Sequence, residues 1–352
     1  MTENAYIVIM AGGKGERFWP LSSPTLPKPF IKLINGKSLI ELTYQRAKKI
    51  LPENRIFFVI GEKHVNPLLQ AIPGLREEFI FSEPEGRDTA ACIGYAALLL
   101  NETNRNSIMV VLPADHYIGK EDLFINAVYR ALEVAKKRDC LVTIGIPPTR
   151  PETGYGYIKV KAKLSDENPS LFSVDQFIEK PSLDKAKEYV ESGDYYWNSG
   201  MFVWKTSVIL EELEKHLPSL LDGLRKCLSY RKTGDLKAFS SNYKMLIKTS
   251  IDYGVMEKSD SVVMIKGEFI WDDVGTWSSL FRLMQKDENS NVCLGNSCLI
   301  DVRGSFILSE GVNLGVAGLK NVIVVATKQG VLVCSEEYAQ SVREIAKYFF
   351  SQ

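Results

Sequence analysis

The sequence predicts an α/β protein with a mostly parallel or mixed sheet flanked by helices, followed by a small β-rich domain. Three observations lead there. Up to about residue 139, short apolar strand-like runs alternate with helix-like stretches, the pattern of βαβ units. The middle of the chain changes to strands of mixed polarity and charged helices, which predicts an extension of the sheet carrying a lid-like insertion. From residue 289 onward short β-prone runs are separated by glycine and asparagine turns. These changes put domain boundaries at 1–288 and 289–352.

The elements follow in order. Residues 7–10 form an apolar strand. Ser38 and Glu41 make a capping box that opens a helix towards residue 50. Residues 56–60 and 79–81 read as strands. Asp88 is a good N-cap for a helix to residue 100. A strand over 108–112, a helix over 123–137 and a strand over 141–146 complete a Rossmann-like alternation. Beyond it lie strands over 155–160 and 172–178, a charged helix over 181–191, a strand over 201–204 and helices to about residue 248. The tail shows strands over 298–302, 306–308, 314–317, 322–326 and 331–334, then a helix over 337–350.

Composition excludes several function classes. Lys+Arg and Asp+Glu both number 43, so nothing favours a dedicated nucleic-acid or anionic-membrane surface. The longest apolar run, 90–100, is interrupted and too short to span a bilayer. No leader-like segment opens the chain, and a cytoplasmic location is expected. Six cysteines are scattered without a Cys-x-x-Cys pair, and there are only three histidines, so a zinc site is not expected. The cysteines read as buried thiols.

The densest chemical information lies in residues 6–29. A short strand runs into a loop with Gly12, Gly13 and Gly15, which also carries Lys14 and Arg17; Lys28 follows between two prolines. Glycines allow positive φ and expose backbone N–H groups to a ligand. Three cations beside such a turn imply a ligand with several negative charges, and a nucleoside triphosphate fits. A dinucleotide fingerprint would need glycine where Phe18 stands, and a P-loop would need Ser or Thr where Gly15 stands. With Trp19-Pro20-Leu21-Ser22 and Pro27-Lys28-Pro29 added, the stretch resembles the motif of sugar-1-phosphate nucleotidylyltransferases. It is most similar to that of mannose-1-phosphate guanylyltransferases. The family form ends in Pro-Lys-Gln-Phe; here Pro29 replaces the Gln beside Lys28.

Joining a sugar phosphate to a nucleotide needs no general base, because the attacking phosphate is already an anion. It needs cations, in-line positioning and a divalent metal. Asp115 follows the strand over 108–112, where open α/β sheets bind ligands, although an Asp that begins a turn occupies the same kind of position. The resemblance makes Asp115 a magnesium ligand and leaves His116 without a defined role. In Trp271-Asp272-Asp273-Val274-Gly275 it makes Asp273 the second Mg²⁺ ligand. Asp272 would support it or be solvated, and an Asp pair before a helix also suits a cap.

The same resemblance gives roles to the remaining runs. In Glu179-Lys180-Pro181, Lys180 would bind the sugar phosphate and Glu179 a sugar hydroxyl. In Asn198-Ser199-Gly200, Asn198 would offer a donor and an acceptor to adjacent hydroxyls. Gly156, in Thr153-Gly154-Tyr155-Gly156-Tyr157, would approach the sugar through its backbone, though such a run also suits a hairpin or bulge. Gly86-Arg87-Asp88-Thr89-Ala90 falls in the nucleobase region, with Asp88 where the family has Asn. The resemblance implies that Gly86 contacts the base through its backbone; Asp88 either accepts from guanine or caps its helix.

Taken together, the resemblance implies transfer of a guanylyl group from GTP to mannose 1-phosphate, with Lys14, Arg17 and Lys28 as the catalytic cations. Alternatives are a thymidylyl- or uridylyltransferase for glucose 1-phosphate, and a non-catalytic nucleotide-sugar sensor. The resemblance also implies a β-helix-like C-terminal module. Its apolar strands are too few for a core of its own, so it is expected to pack on the catalytic domain or on another subunit, within a homodimer. Many bacterial homologues carry a further isomerase domain of the cupin type; none is expected in this chain, and no isomerase activity with it.

Overall fold

A computed structural model describes residues 3–13, 15–166 and 168–351. The chain divides into two compact units, 1–12 with 42–114 and 118–271, and 13–41 with 115–117 and 272–352. The second unit therefore gathers the C-terminal module with the glycine-rich loop and both candidate metal ligands.

The first unit holds a nine-stranded sheet. Its strands are β1 (Ala5–Met10), β2 (Ile56–Gly61), β3 (Ile80–Glu83), β4 (Ile108–Pro113), β5 (Leu141–Ile146), β6 (Tyr157–Lys163), β7 (Leu171–Ile178), β8 (Tyr195–Lys205) and β9 (Val262–Lys266). The spatial order is β3-β2-β1-β4-β8-β5-β9-β7-β6. The first four strands are mutually parallel, with Ile7 opposite both Ile56 and Val110. β8 runs antiparallel to β4 and β5, β9 parallel to β5, and β7 and β6 close the far edge in antiparallel pairs. The mixed sheet flanked by helices is as expected.

Covering both faces of the central strands makes Ile7, Val8 and Ile9 fully buried, which explains the unbroken apolar runs. The helix Asp88–Thr103 packs against Thr206–His216 and Pro218–Thr233. A side chain at Gly94 would come within 2.7 Å of Leu224 Cδ1, so glycine sets that close approach. Leu220, Leu221, Leu224 and Tyr243 join one core with Val8, Met109, Phe202 and Trp204. The segment expected as a lid-like insertion is thus a buried helical layer.

The second unit is a stack of short rungs. β10 (Val292–Leu294), β12 (Phe306–Glu310) and β14 (Val322–Thr327) are parallel, β11 (Ser297–Ile300) pairs with β13 (Leu314–Ala317) in parallel, and β15 (Gly330–Ser335) turns back along β14. The C-terminal helix starts at Val342, because Glu336–Tyr338 forms a separate 3-10 turn. Phe306, Ile323, Val325, Leu332 and Val342 share a core with Phe18, Trp19, Leu33 and Trp277. Cys92, Cys140 and Cys227 are buried as expected, and Cys334 is partly so. Cys293 and Cys298 are exposed, because these short rungs turn alternate residues outward. Among the described residues no helix is long and apolar enough to cross a membrane.

Phe306 is fully buried against Trp277 and Phe281. Phe306→Ala should cost about 3–5 kcal/mol in urea unfolding. Ending the chain after Asp287 should cost solubility or melting temperature together with activity, since it strips one side of the core that holds Phe18 and Trp19. A truncated chain that kept all three would contradict this packing.

Candidate active site

The residues expected at the phosphates lie mainly in the second unit. The backbone turns through Gly13 (φ 102°) and Gly15 (φ 64°) into the 3-10 turn Glu16–Phe18. Lys14 falls outside the described residues. A Cβ on Gly15 would sit 2.5 Å from the Lys28 backbone nitrogen and 2.6 Å from Lys28 Cβ. Only glycine permits that contact and that φ together. Lys28 opens a second 3-10 turn, Lys28–Phe30, and is buried.

Its ammonium donates to Asp115 Oδ2 at 2.8 Å and to the backbone carbonyl of Asp273. Lys28 therefore brings together the two aspartates that the sequence placed 158 residues apart (273 − 115). Burial alone would push the Asp115 carboxyl up, but the Lys28 ammonium, with His116 3.9 Å away, outweighs it and holds it below the usual carboxylate range. Asp273 Oδ1 accepts from the Gly275 N–H at 2.9 Å.

Asp272 has a structural place. Its Oδ1 accepts from the Val274 N–H at 2.8 Å and its Oδ2 lies 3.3 Å from Arg282 Nη2. The helix Trp277–Leu283 is capped by Thr276, whose side chain accepts from Ser279 N, so neither aspartate is needed as a cap. Arg17 has a buried Nε with no hydrogen-bond partner among the described residues, a donor suited to an anion.

Residues that motif reading did not find grip this loop. Arg343 Nε lies 2.9 Å from Glu16 Oε2, and the Phe349 ring stacks on Trp19 with centroids 4.9 Å apart. Trp277 Nε1 donates to the Trp19 carbonyl at 3.2 Å. The only sequence signal was the apolar face of the last helix, which does not name its partner.

The residues expected at the base and the sugar lie in the first unit. Gly86 and Asp88 are exposed on the loop after β3, and Arg87 has a buried Nε without a partner among the described residues. Asp88 is not the expected cap. It stands at the helix start with φ 68°, and its Oδ1 accepts from the adjacent Thr89 N–H, while the Ala90 N–H donates to the Thr249 carbonyl. The αL backbone there keeps the carboxylate from reaching the next turn's N–H groups.

Glu179, Gly156 and Asn198 converge. A Cβ on Gly156 would be 2.4 Å from Glu179 Oε2, and the Asn198 N–H donates to the Gly156 carbonyl at 2.8 Å. A register shift in β8 after Asn198, with Gly200 at φ 66°, breaks the strand alternation at this point. Burial, then the charge of Asp252, pushes Glu179 up to about 7 against the pull of Lys180. Lys180 itself is exposed with φ 48°.

Comparison with known proteins adds to this geometry. Residues 6–290 match the nucleotidyl transferase family, and residues 295–348 match the MannoseP isomerase/GMP-like beta-helix domain. A mannose-1-phosphate guanylyltransferase of Escherichia coli K12 is 37% identical over 97% of this chain and 73% of its own length. The chain belongs to the mannose-1-phosphate guanylyltransferase family. The xanthan biosynthesis protein XanB of Xanthomonas campestris is 38% identical over 96% of this chain and 72% of its own length. A crystal structure from Thermus thermophilus, described as a mannose-1-phosphate geranyltransferase, superposes with a TM-score of 0.88 at 34% identity, covering 98% of this chain and 99% of that one. The chain is accordingly a sugar nucleotidyltransferase, with the α/β domain and β-helix module of its family.

Within this family member, Gly15→Ala should push Lys28 off its two acceptors. The expected result is at least a tenfold fall in kcat/KM, about 1.4 kcal/mol, read in a steady-state assay. Unchanged kinetics would show that Lys28 tolerates displacement.

Proposed function

We propose that the protein makes GDP-mannose and pyrophosphate from GTP and mannose 1-phosphate. A phosphate oxygen of mannose 1-phosphate attacks the α-phosphorus in line, the bond to the β-phosphate breaks, and pyrophosphate leaves with the electron pair. The observation that carries this reading is the Lys28 ammonium held between Asp115 and Asp273 beside the glycine-rich turn, in a chain whose relatives include named mannose-1-phosphate guanylyltransferases. On this reading residues 1–288 form the catalytic domain and 289–352 the accessory β domain.

The roles follow from charge. Gly12, Gly13 and Gly15 offer backbone N–H groups to the phosphates, and Lys14 and Arg17 bind the triphosphate. Lys28 has three N–H donors, two of them used by Asp115 and Asp273; the third is the one proposed to meet the reacting phosphate. Gly86, Arg87 and Asp88 face the base. With its capping role gone, the exposed Asp88 carboxylate suits the N1–H and N2–H₂ donors of guanine. Gly156, Glu179 and Asn198 bind sugar hydroxyls, and Lys180 the sugar phosphate.

Mg²⁺ suits the oxygen donors of Asp115 and Asp273, which Lys28 links through the Asp115 carboxylate and the Asp273 backbone carbonyl. Among the described residues no group of three or more His, Cys, Asp or Glu could hold a metal, so phosphate and water oxygens would complete its shell. When bound it supplies positive charge against the phosphate oxygens. We further propose a cytoplasmic homodimer. Support for association is the edge strand β15, where Val331 and Val333 are each 59% exposed; light scattering tests it.

Pyrophosphate release over a matrix of four nucleotides and several sugar 1-phosphates tests the assignment. GTP with mannose 1-phosphate should give the highest kcat/KM, and glucose 1-phosphate should react slowly, because one hydroxyl is displaced. Equal constants for UTP and GTP would overturn the base assignment and favour the thymidylyl- or uridylyltransferase alternative. Asp115→Asn and Asp273→Asn should each lower kcat at least about 10²-fold with a smaller effect on GTP binding. Lys180→Ala should mainly raise KM for the sugar phosphate; a collapse of GTP affinity alone would reassign it.

A further inference from the structure

A single turn touches both the base-side loop and the sugar-side asparagine. Asp252–Met256 is π-helical, a rare geometry that recurs at functional sites. On one side the Ile251 N–H donates to Thr89 Oγ1 at 2.8 Å, and the Thr249 carbonyl accepts from the Ala90 N–H at 3.2 Å. On the other, Asp252 Oδ1 accepts from Asn198 Nδ2 at 2.7 Å. The Asn198 Oδ1 accepts in turn from the Gly200 N–H at 3.2 Å.

An asparagine amide has two donor and two acceptor sites. Asp252 and Gly200 take one of each, and they also fix which end is NH₂ and which is oxygen. Without a carboxylate at 252 the amide could turn over and present the opposite pattern to a ligand.

We propose that Asp252 is a positioning residue for the sugar subsite, locking the Asn198 amide in one orientation while the turn that carries it is pinned to Thr89. The inference rests on the proposed role of Asn198 in binding sugar hydroxyls. Charged and titratable groups around the pair are Glu179, Lys180, Asp88, Glu257 and Tyr253. Burial pushes both Glu179 and Asp252 upward; the Asp252 charge raises Glu179 further, and the hydrogen bond from Asn198 pulls Asp252 back.

Asp252→Ala should raise KM for mannose 1-phosphate about tenfold or more, with KM for GTP unchanged within about twofold. Asp252→Asn keeps an acceptor but loses the charge, so its KM should rise less. It should also move the pH dependence of that KM to lower pH, because Glu179 no longer faces a like charge. Thr89→Val should raise the same KM by a smaller factor and Thr89→Ser should restore it, which keeps the test open if Asp252→Ala does not fold. Wild-type turnover of mannose 1-phosphate combined with unchanged KM in Asp252→Ala, or in Thr89→Val, would overturn the inference alone. Absence of wild-type turnover with any sugar 1-phosphate would overturn the inference and the sugar-site reading together.

Discussion

One buried ammonium organises the phosphate-side machinery. Lys28 is only 8% exposed, yet it carries a charge whose removal from water is costly. That cost is offset by Asp115 and by the Asp273 carbonyl, and the geometry forces further choices. Gly15 must lack a side chain so that the Lys28 backbone can come close. The flanking prolines Pro27 and Pro29 fix the turn that delivers the side chain. The same cation outweighs the effect of burial and holds the Asp115 carboxyl below the usual carboxylate range. Its depressed pKa means that its stabilising pairing is present at neutral pH and is lost as pH falls through the folded value.

Around this anchor the chain divides its chemistry by unit. The second unit holds the cationic loop, the aspartates and the β-rungs, with Glu16–Arg343 and Trp19–Phe349 contacts joining the first and last thirds of the sequence. Residues beyond the nucleotidyl transferase match therefore brace the loop from which that match begins. In the first unit Glu179, Gly156, Asn198 and Asp252 form one hydrogen-bonded and electrostatically linked cluster.

The parallel half of the sheet was legible because strands covered on both faces read as continuous apolar runs, as Ile7 to Ile9 do. The Ser38–Glu41 capping box was legible for a local reason: both hydrogen bonds lie within four residues. What failed was non-local. β8 begins at Tyr195, before the expected 201, because pairing with β6 recruits its polar half and a register shift conceals the alternation. β9 and the helix Val65–Ala71 were missed, the latter because Pro67 reads as a breaker although it lies in the first turn, where its missing N–H costs nothing. Among the candidate site residues, motif reading found those that carry a family pattern within a few residues of chain. Asp252, Arg343 and Phe349 contact Asn198, Glu16 and Trp19, residues distant in sequence, so no local pattern marks them.

The central claim is that Lys28 and Asp115 work as one unit. A double-mutant cycle on the single-turnover rate of GDP-mannose formation tests it, with Lys28→Met, Asp115→Asn and the double variant at saturating substrates. The account predicts strong non-additivity: the double variant should be little slower than the slower single variant, because either change alone already breaks the unit. Rate losses that multiply would show two independent groups and contradict it.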